Sequence, residues 1–206
     1  ASETEKNSTV TNQVQTPVIS TTAALPAARP TTTDVSTPIP LEMQNTDAQW
    51  ISQNLNVESG TLEYHLYLPP GYAPEKQTYP LLMLLHGFNG NSKVWETLGL
   101  VQQLNQLINE GEIAPLIVAV PSLPDLSLDP SDQEAQKDLQ TLYEHLLTTY
   151  PIMPEREAHA IGGYSIGATW AFYLAANYPD AWGRLGMHSQ SMAYEQGYGL
   201  AEKMRA

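Results

Sequence analysis

The sequence contains 206 residues and carries 22 acidic against 9 basic side chains, a net charge of −13. This balance argues against nucleic acid or an anionic membrane as a partner, because neither phosphate contacts nor a basic stripe are available. The chain contains no cysteine, which excludes a disulfide framework and thiol chemistry within these residues. No apolar run approaches the length needed to cross a membrane.

The first 40 residues form a compositionally distinct segment with ten Thr, four Ser and five Pro, and no aromatic residue occurs before Trp50. Such a segment cannot bury enough apolar surface to offset its chain entropy, so residues 1–40 are predicted to be a disordered tether. Tethers of this composition commonly join a secreted or surface-held domain to an anchor. We therefore expect a secreted or surface-tethered protein of a bacterial-type cell envelope, with one folded domain in residues 41–206. A signal peptide already removed and a missing start are both compatible with the first residue, Ala1.

After the tether, apolar strand-like runs alternate with amphipathic helical segments. The predicted strands lie near residues 61–68, 81–85, 116–120, 158–162 and 185–188, and the predicted helices near 94–110, 131–148 and 168–177. Ser131 followed by Glu134 has the form of a capping box, which predicts the start of the second helix. The alternation predicts the α/β class, with a doubly wound and mostly parallel sheet.

The second predicted strand ends abruptly in a loop that contains His86, Gly87 and Gly90. Its glycines can turn backbone N–H groups toward an approaching carbonyl, as the oxyanion loop of an acyl-transfer enzyme does. The amide of Phe88 is the predicted oxyanion donor, with that of Gly87 as the other choice. We expect His86 to brace this loop by hydrogen bonds rather than act as a base.

The most informative motif is G-x-S-x-G, formed by Gly163, Ser165 and Gly167. An apolar strand precedes it and a helical segment follows, which is the context of a serine nucleophile on a strand-to-helix elbow. The alternative is a purely structural glycine turn. If Ser165 is the nucleophile, the amide of Ile166 stands at the helix N-terminus and is the predicted second oxyanion donor.

With these motifs in place, residues from about 60 to 191 resemble the putative esterase family (esterase D-like) of the α/β-hydrolases. That family includes feruloyl and acetyl esterases, S-formylglutathione hydrolase, enterochelin esterases and mycolyltransferases. The family usually has a second glycine after the elbow, where this chain has Ala168. The segments that carry the likeness are 62–72, 80–90, 116–121, 163–168 and 178–183.

The resemblance also implies a catalytic acid and a histidine that follow the serine in the chain. Only 41 residues follow Ser165, and the sequence stops where the strand leading to the acid would begin. We therefore expect residues 41–206 to be the N-terminal two-thirds of an α/β-hydrolase domain that is C-terminally incomplete, with acid and base beyond Ala206. Alternatively, the triad is completed unusually, and His188, at the end of the last predicted strand, is then the candidate base.

The remaining candidates concern the substrate and metals. Gly87, Tyr164 and Trp95 are candidates to line the substrate site, since Trp95 closely follows the oxyanion loop. Asp125 and Asp129 follow the strand at 116–120 and could line a pocket, although a solvated Pro/Asp turn is the favoured interpretation. The five histidines show no paired metal spacing, so no zinc site and no cofactor are expected.

These observations predict a secreted serine esterase that forms an acyl-enzyme on Ser165 with a small-molecule or polysaccharide-linked ester. Two alternatives remain open. One is a catalytically inactive α/β-hydrolase domain that serves as a binding module. The other is an acyltransferase, in which another hydroxyl instead of water resolves the acyl-enzyme.

Overall fold

The computed structural model describes residues 47–123, 130 and 132–190. The predicted tether, Asp125, Asp129 and Ser131 lie outside the described residues. The described strands are β1 (Gln49–Val57), β2 (Gly60–Leu68), β3 (Leu81–Leu85), β4 (Ile117–Pro121), β5 (His159–Tyr164) and β6 (Arg184–His188). The described α-helices are α1 (Lys93–Thr97), α2 (Leu100–Asn109), α3 (Gln133–Thr149) and α4 (Ile166–Asn177), and a 3-10 turn covers Arg156–Ala158.

The strands form one sheet in the order β1-β2-β4-β3-β5-β6. The pairs β1–β2 and β2–β4 are antiparallel, whereas the pairs β4–β3, β3–β5 and β5–β6 are parallel. The carboxyl ends of β3, β4, β5 and β6 therefore meet at one edge, where α/β sheets place ligands and chemistry. The predicted α/β class and the mostly parallel sheet are confirmed.

Helices cover both faces of the sheet. On one face, side chains of α3 and α4 such as Leu142 and Trp170 pack with Met83 and Ile161 in one fully buried cluster. On the other face, Leu104 of α2 packs with alternate residues of the central strands in a second cluster. Because β3 and β4 are covered on both sides, they are apolar along their whole length, which is why the sequence pattern located them.

Three sequence-based expectations need correction. Strand β1 was not predicted, because it is a half-exposed edge strand in which Gln, Ser and Asn alternate with apolar residues. The single helix expected at 94–110 is interrupted at Gly99, whose φ of 82° ends α1 and separates it from α2. The side-chain cap of α3 is Asp132 rather than Ser131; its carboxylate accepts from the amides of Glu134 and Ala135.

None of the helices in the described part of the chain is long and apolar enough to span a bilayer.

Candidate active site

Ser165 is the single residue between the end of β5 and the start of α4. Its backbone has φ 54° and ψ −125°, a conformation that non-glycine residues adopt only under strain. Its N–H donates to the carbonyl of His188 over 2.9 Å, and its carbonyl accepts from the amides of Ala168 and Thr169. The backbone around the serine is therefore tied to β6 on one side and to α4 on the other.

The glycines two residues before and after Ser165 are required by close backbone contacts. A Cβ on Gly163 would lie 2.6 Å from the carbonyl carbon of Gly167 and 2.7 Å from the carbonyl oxygen of Leu85. A Cβ on Gly167 would lie 2.5 Å from that same oxygen. Real Cβ atoms do not approach backbone this closely, so β3, β5 and α4 can meet below the serine only without these side chains.

Two backbone amides are of interest here: that of Phe88 in the loop after β3 and that of Ile166 in the elbow itself. The carbonyl of Gly87 accepts from the amide of Gly90 over 3.0 Å and from Nδ1 of His86 over 2.8 Å. This closes a tight turn in which Asn89 has a φ of 55°. Within the described residues, the amides of Phe88 and Ile166 donate to no protein group. Both N–H groups lie at the edge of the sheet that holds Ser165.

His86 braces this loop, as its position at the end of β3 suggested. Its ring is 1% exposed, and its Nε2 accepts from the amide of Leu123 over 3.0 Å. With Nε2 accepting, the proton sits on Nδ1 and is donated to Gly87, so both ring nitrogens are used by the neutral tautomer. Burial lowers the pKa of His86 below its usual value of 6.5.

This burial predicts a pH dependence of stability. The folded chain holds His86 neutral, whereas the unfolded chain protonates it below about pH 6.5. The stabilisation is therefore complete above pH 6.5 and is lost as the pH falls toward the lowered folded-state pKa. We expect the free energy of unfolding, measured by urea titration at several pH values, to fall more steeply between pH 7 and 5 in the wild type than in His86→Gln. The difference in slope should approach about 1.4 kcal/mol per pH unit; equal slopes would contradict it.

The three residues expected to line a substrate site, Gly87, Tyr164 and Trp95, lie together. The ring of Tyr164 covers Gly87 so closely that a Cβ there would lie 2.7 Å from the ring. Trp95 meets Tyr164 edge to face, with ring centroids 5.5 Å apart. The side chain of Phe88 is 59% exposed on the adjoining loop. The loop after β3 is thus flanked by aromatic surface.

All five histidines of the sequence fall within the described residues, and none is hydrogen-bonded to the Ser165 hydroxyl. The ring of His188 is exposed and pairs with the hydroxyl of Ser189 over 3.1 Å. His159 is buried between Tyr143 and the carbonyl of Met153. Among the residues that can be described, no cluster of three His, Asp or Glu side chains could hold a metal ion.

A buried row of hydrogen-bonded polar side chains near the loop after β3 was not predicted. Nδ1 of His65 lies 2.7 Å from the hydroxyl of Ser92, which lies 2.6 Å from the hydroxyl of Ser122. Ser92 comes directly after the oxyanion loop, and Ser122 follows β4. The available signal was a polar residue just past the end of an apolar strand, which marks the sheet edge where sites form.

The sheet order, the strained serine and the loop after β3 define the α/β-hydrolase fold. The sequence model of the family described as Putative esterase matches residues 59–197. The chain therefore belongs to the Putative esterase family.

Individual relatives agree with this assignment. Endo-1,4-beta-xylanase Y of Acetivibrio thermocellus is 29% identical over 133 residues, which are 59% of this chain and 12% of that protein. A solved ferulic acid esterase matches with a TM-score of 0.60 at 20% identity, over 66% of this chain and 57% of that one. The feruloyl esterase module from Clostridium thermocellum, solved with sinapinate, matches with a TM-score of 0.56 at 24% identity, over 71% and 56%. The chain thus spans less than two thirds of each of these relatives, and the structural likenesses concern the fold alone.

Proposed function

We propose that this protein is a serine carboxylic-ester hydrolase whose nucleophile is Ser165. The observation that carries the proposal is the φ of 54° at Ser165, a strained conformation at the junction of β5 and α4. Strain of this kind persists only where the surrounding structure over-determines it, and it clusters at functional sites. Membership in the Putative esterase family supports the same conclusion.

In the proposed reaction, the Ser165 oxygen forms a bond to the ester carbonyl carbon while its proton passes to a base. The carbonyl oxygen becomes an oxyanion that accepts hydrogen bonds from the amides of Phe88 and Ile166. Collapse of this intermediate releases the alcohol, which takes the proton, and leaves an acyl-enzyme. Water then attacks the acyl group in the same way and regenerates the serine.

The base is the part of the mechanism that the described residues do not supply directly. His65, His86 and His159 are buried and already hydrogen-bonded. The ring of His145 on α3 pairs with Tyr64 and Thr149. His188 is exposed at the correct edge of the sheet, but its ring pairs with Ser189. The base is therefore either His188 after a change of rotamer or a histidine outside these 206 residues, as the family order of the triad implies.

The proposed substrate is an ester with an organic acyl group of small size, free or attached to a polysaccharide. The aromatic surface of Tyr164, Trp95 and Phe88 beside the oxyanion loop suits a planar or apolar acyl group. The relatives named as a xylanase and as ferulic acid esterases support a polysaccharide-linked ester and a secreted location. No cofactor is part of the proposed reaction.

The proposal is tested by labelling with a fluorophosphonate, which reacts only with an activated serine. We expect one modified residue, Ser165, located by mass spectrometry of the digested protein, and hydrolysis of 4-nitrophenyl acetate and methyl ferulate. Loss of labelling when His188 is substituted would identify that histidine as the base. A folded full-length protein that neither labels nor hydrolyses either ester would overturn the proposal and favour the inactive binding module.

Transfer of the acyl group to an added alcohol, faster than to water, would identify an acyltransferase. That outcome would keep the acyl-enzyme and change only the acceptor.

A further inference from the structure

A polar cavity lies on the other side of the oxyanion loop from Ser165. It has a volume of about 280 Å³, and its lining side chains are Thr61, Glu63, Asn91, Lys93 and Ser122. Thr61 and Glu63 come from β2, Asn91 and Lys93 from the segment just after the oxyanion loop, and Ser122 from the residue after β4. The volume is close to the lower end of the range for small-molecule sites in proteins.

The cavity shares an edge of the sheet with Ser165. Ser122 follows the carboxyl end of β4, and Ser165 follows that of β5, with β3 between these two strands. Two strand spacings correspond to about 10 Å. The oxyanion loop, which follows β3, runs between them. A ligand that occupied both places would therefore lie across this loop, with its ester group at the loop and one end in the cavity.

The side chains that line the cavity can form hydrogen bonds, and their formal charges sum to zero. The described residues of the lining contribute one ammonium, one carboxylate, one amide and two hydroxyls. Neither Glu63 nor Lys93 belongs to an ion pair within the described residues. One oxygen of the Glu63 carboxylate accepts from the hydroxyl of Ser52 over 3.4 Å. The other oxygen and the Lys93 ammonium are available to a ligand, and their opposite signs give no preference for an anion or a cation.

Ser122 is held firmly in the wall of the cavity. Its amide donates to the carbonyl of Glu63 over 2.8 Å, and its hydroxyl accepts from the amide of Ser92 over 3.0 Å. The Ser92 hydroxyl, which is fully buried, lies between Ser122 and Nδ1 of His65 at 2.6 and 2.7 Å. Such a continuous, fully partnered network fixes the position of its last member.

The direction of the hydrogen bonds in this network decides whether Ser122 presents a lone pair or a proton to the cavity. If Nδ1 of His65 accepts from Ser92, the hydroxyl of Ser122 donates to Ser92, and only a lone pair faces the cavity. If Nδ1 donates instead, Ser92 donates to Ser122, whose proton then points to the ligand. A ligand hydroxyl can both donate and accept, so it fits both directions, whereas an ammonium or a carboxylate fits only one.

We propose that this cavity is a subsite for a neutral, polyhydroxylated group, namely a sugar that forms the alcohol part of the ester. The role as an alcohol subsite rests on the proposed function, but sugar binding by the cavity does not. Glu63 accepts from sugar hydroxyls, Lys93 and Asn91 donate to sugar oxygens, and Ser122 does either.

The binding experiment is a ¹H–¹⁵N NMR titration of the whole chain carrying Ser165→Ala, which needs no turnover. The probes are the methyl glycosides of arabinose, xylose, glucose and galactose at up to tens of millimolar. We expect saturable shifts of the amides of Asn91, Lys93 and Ser122 with at least one glycoside. Lys93→Met and Glu63→Ala should each raise the Kd at least about fivefold, because each removes a charge-assisted hydrogen bond.

The matched controls are Lys76→Met and Glu75→Ala, which make the same changes at side chains that are 76% and 66% exposed in the loop after β2. They should leave the Kd unchanged, and the peak dispersion shows that each variant is folded. The absence of saturable shifts with every glycoside would overturn the inference. Equal changes of Kd in the cavity variants and in the surface controls would also overturn it. So would tighter binding of free glycine, a zwitterion, than of any glycoside.

The alcohol role has its own readout. Lys93→Met should lower kcat/KM for an acetylated methyl pentoside at least about fivefold and leave that for 4-nitrophenyl acetate unchanged. Equal losses on both esters would contradict the alcohol role. A protein that binds glycosides but hydrolyses no ester would refute the esterase function and leave sugar binding established.

Discussion

Ser165→Ala is expected to lower ester hydrolysis by at least about 10³-fold, since loss of a serine nucleophile removes the acyl-enzyme route altogether. The φ of 54° at this position suits alanine no better and no worse than serine, so the fold should be retained. The measurement is kcat/KM for 4-nitrophenyl acetate, together with the circular dichroism spectrum and the midpoint of urea unfolding.

The matched control is Ser52→Ala, the same change at an exposed position on the edge strand β1. It should hydrolyse at the wild-type rate. Wild-type turnover in a folded Ser165→Ala protein would show that another group attacks the ester. Such a result would remove the central step of the proposed mechanism.

Gly167→Ala is expected to lower the free energy of unfolding by about 3 kcal/mol or more. The new Cβ would lie 2.5 Å from the carbonyl oxygen of Leu85 and still closer to that of His86. These are main-chain atoms at the end of β3, so relief requires a movement of α4 away from the sheet. Alanine has the better helix propensity, but that gain of up to about 1 kcal/mol is too small to offset the clash.

Gly186→Ala is the matched control for Gly167→Ala. Gly186 lies on the neighbouring strand β6, has an ordinary negative φ, and a Cβ there would meet no atom within 4 Å. Its free energy of unfolding should stay the same or rise slightly, because alanine loses less backbone entropy than glycine. Equal unfolding midpoints for the two variants would contradict the close approach of α4 to β3. The Gly167 variant should also lose activity, since any movement of α4 displaces the amide of Ile166.

The sequence predicted those parts of the fold in which all side chains of an element share one environment. Strands β3 and β4 are covered by helices on both faces, so they appear as continuous apolar runs. The elbow appears as a motif because its two glycines stand at a fixed spacing about the serine, although the contact that excludes a side chain at Gly167 is with the distant strand β3. Strand β1 was missed because it pairs with β2 at the edge of the sheet and is only partly buried, so polar residues interrupt its apolar pattern. A signal was available: apolar residues lie on one face of the strand at Ile51, Leu55 and Val57, and the turn sequence Ser59-Gly60 follows them.

The break at Gly99 was missed for a different reason. Apolar positions on either side of it keep a helical period, so the pattern continues through the residue. Only the backbone conformation, with φ at 82°, separates α1 from α2. Glycine permits this conformation but does not require it, and the sequence therefore left both possibilities open.

By itself, the sequence determined the α/β class, the serine elbow and the loop that faces it, because each depends on residues close together in the chain. Tertiary structure alone decided the strand order, in which β4 lies between β2 and β3. That order brings Glu63 and Ser122 to one cavity with Lys93, and His65 to Ser92 across 27 positions. Local sequence preferences do not encode such contacts, since they form only when separate strands and loops share the same edge of one sheet.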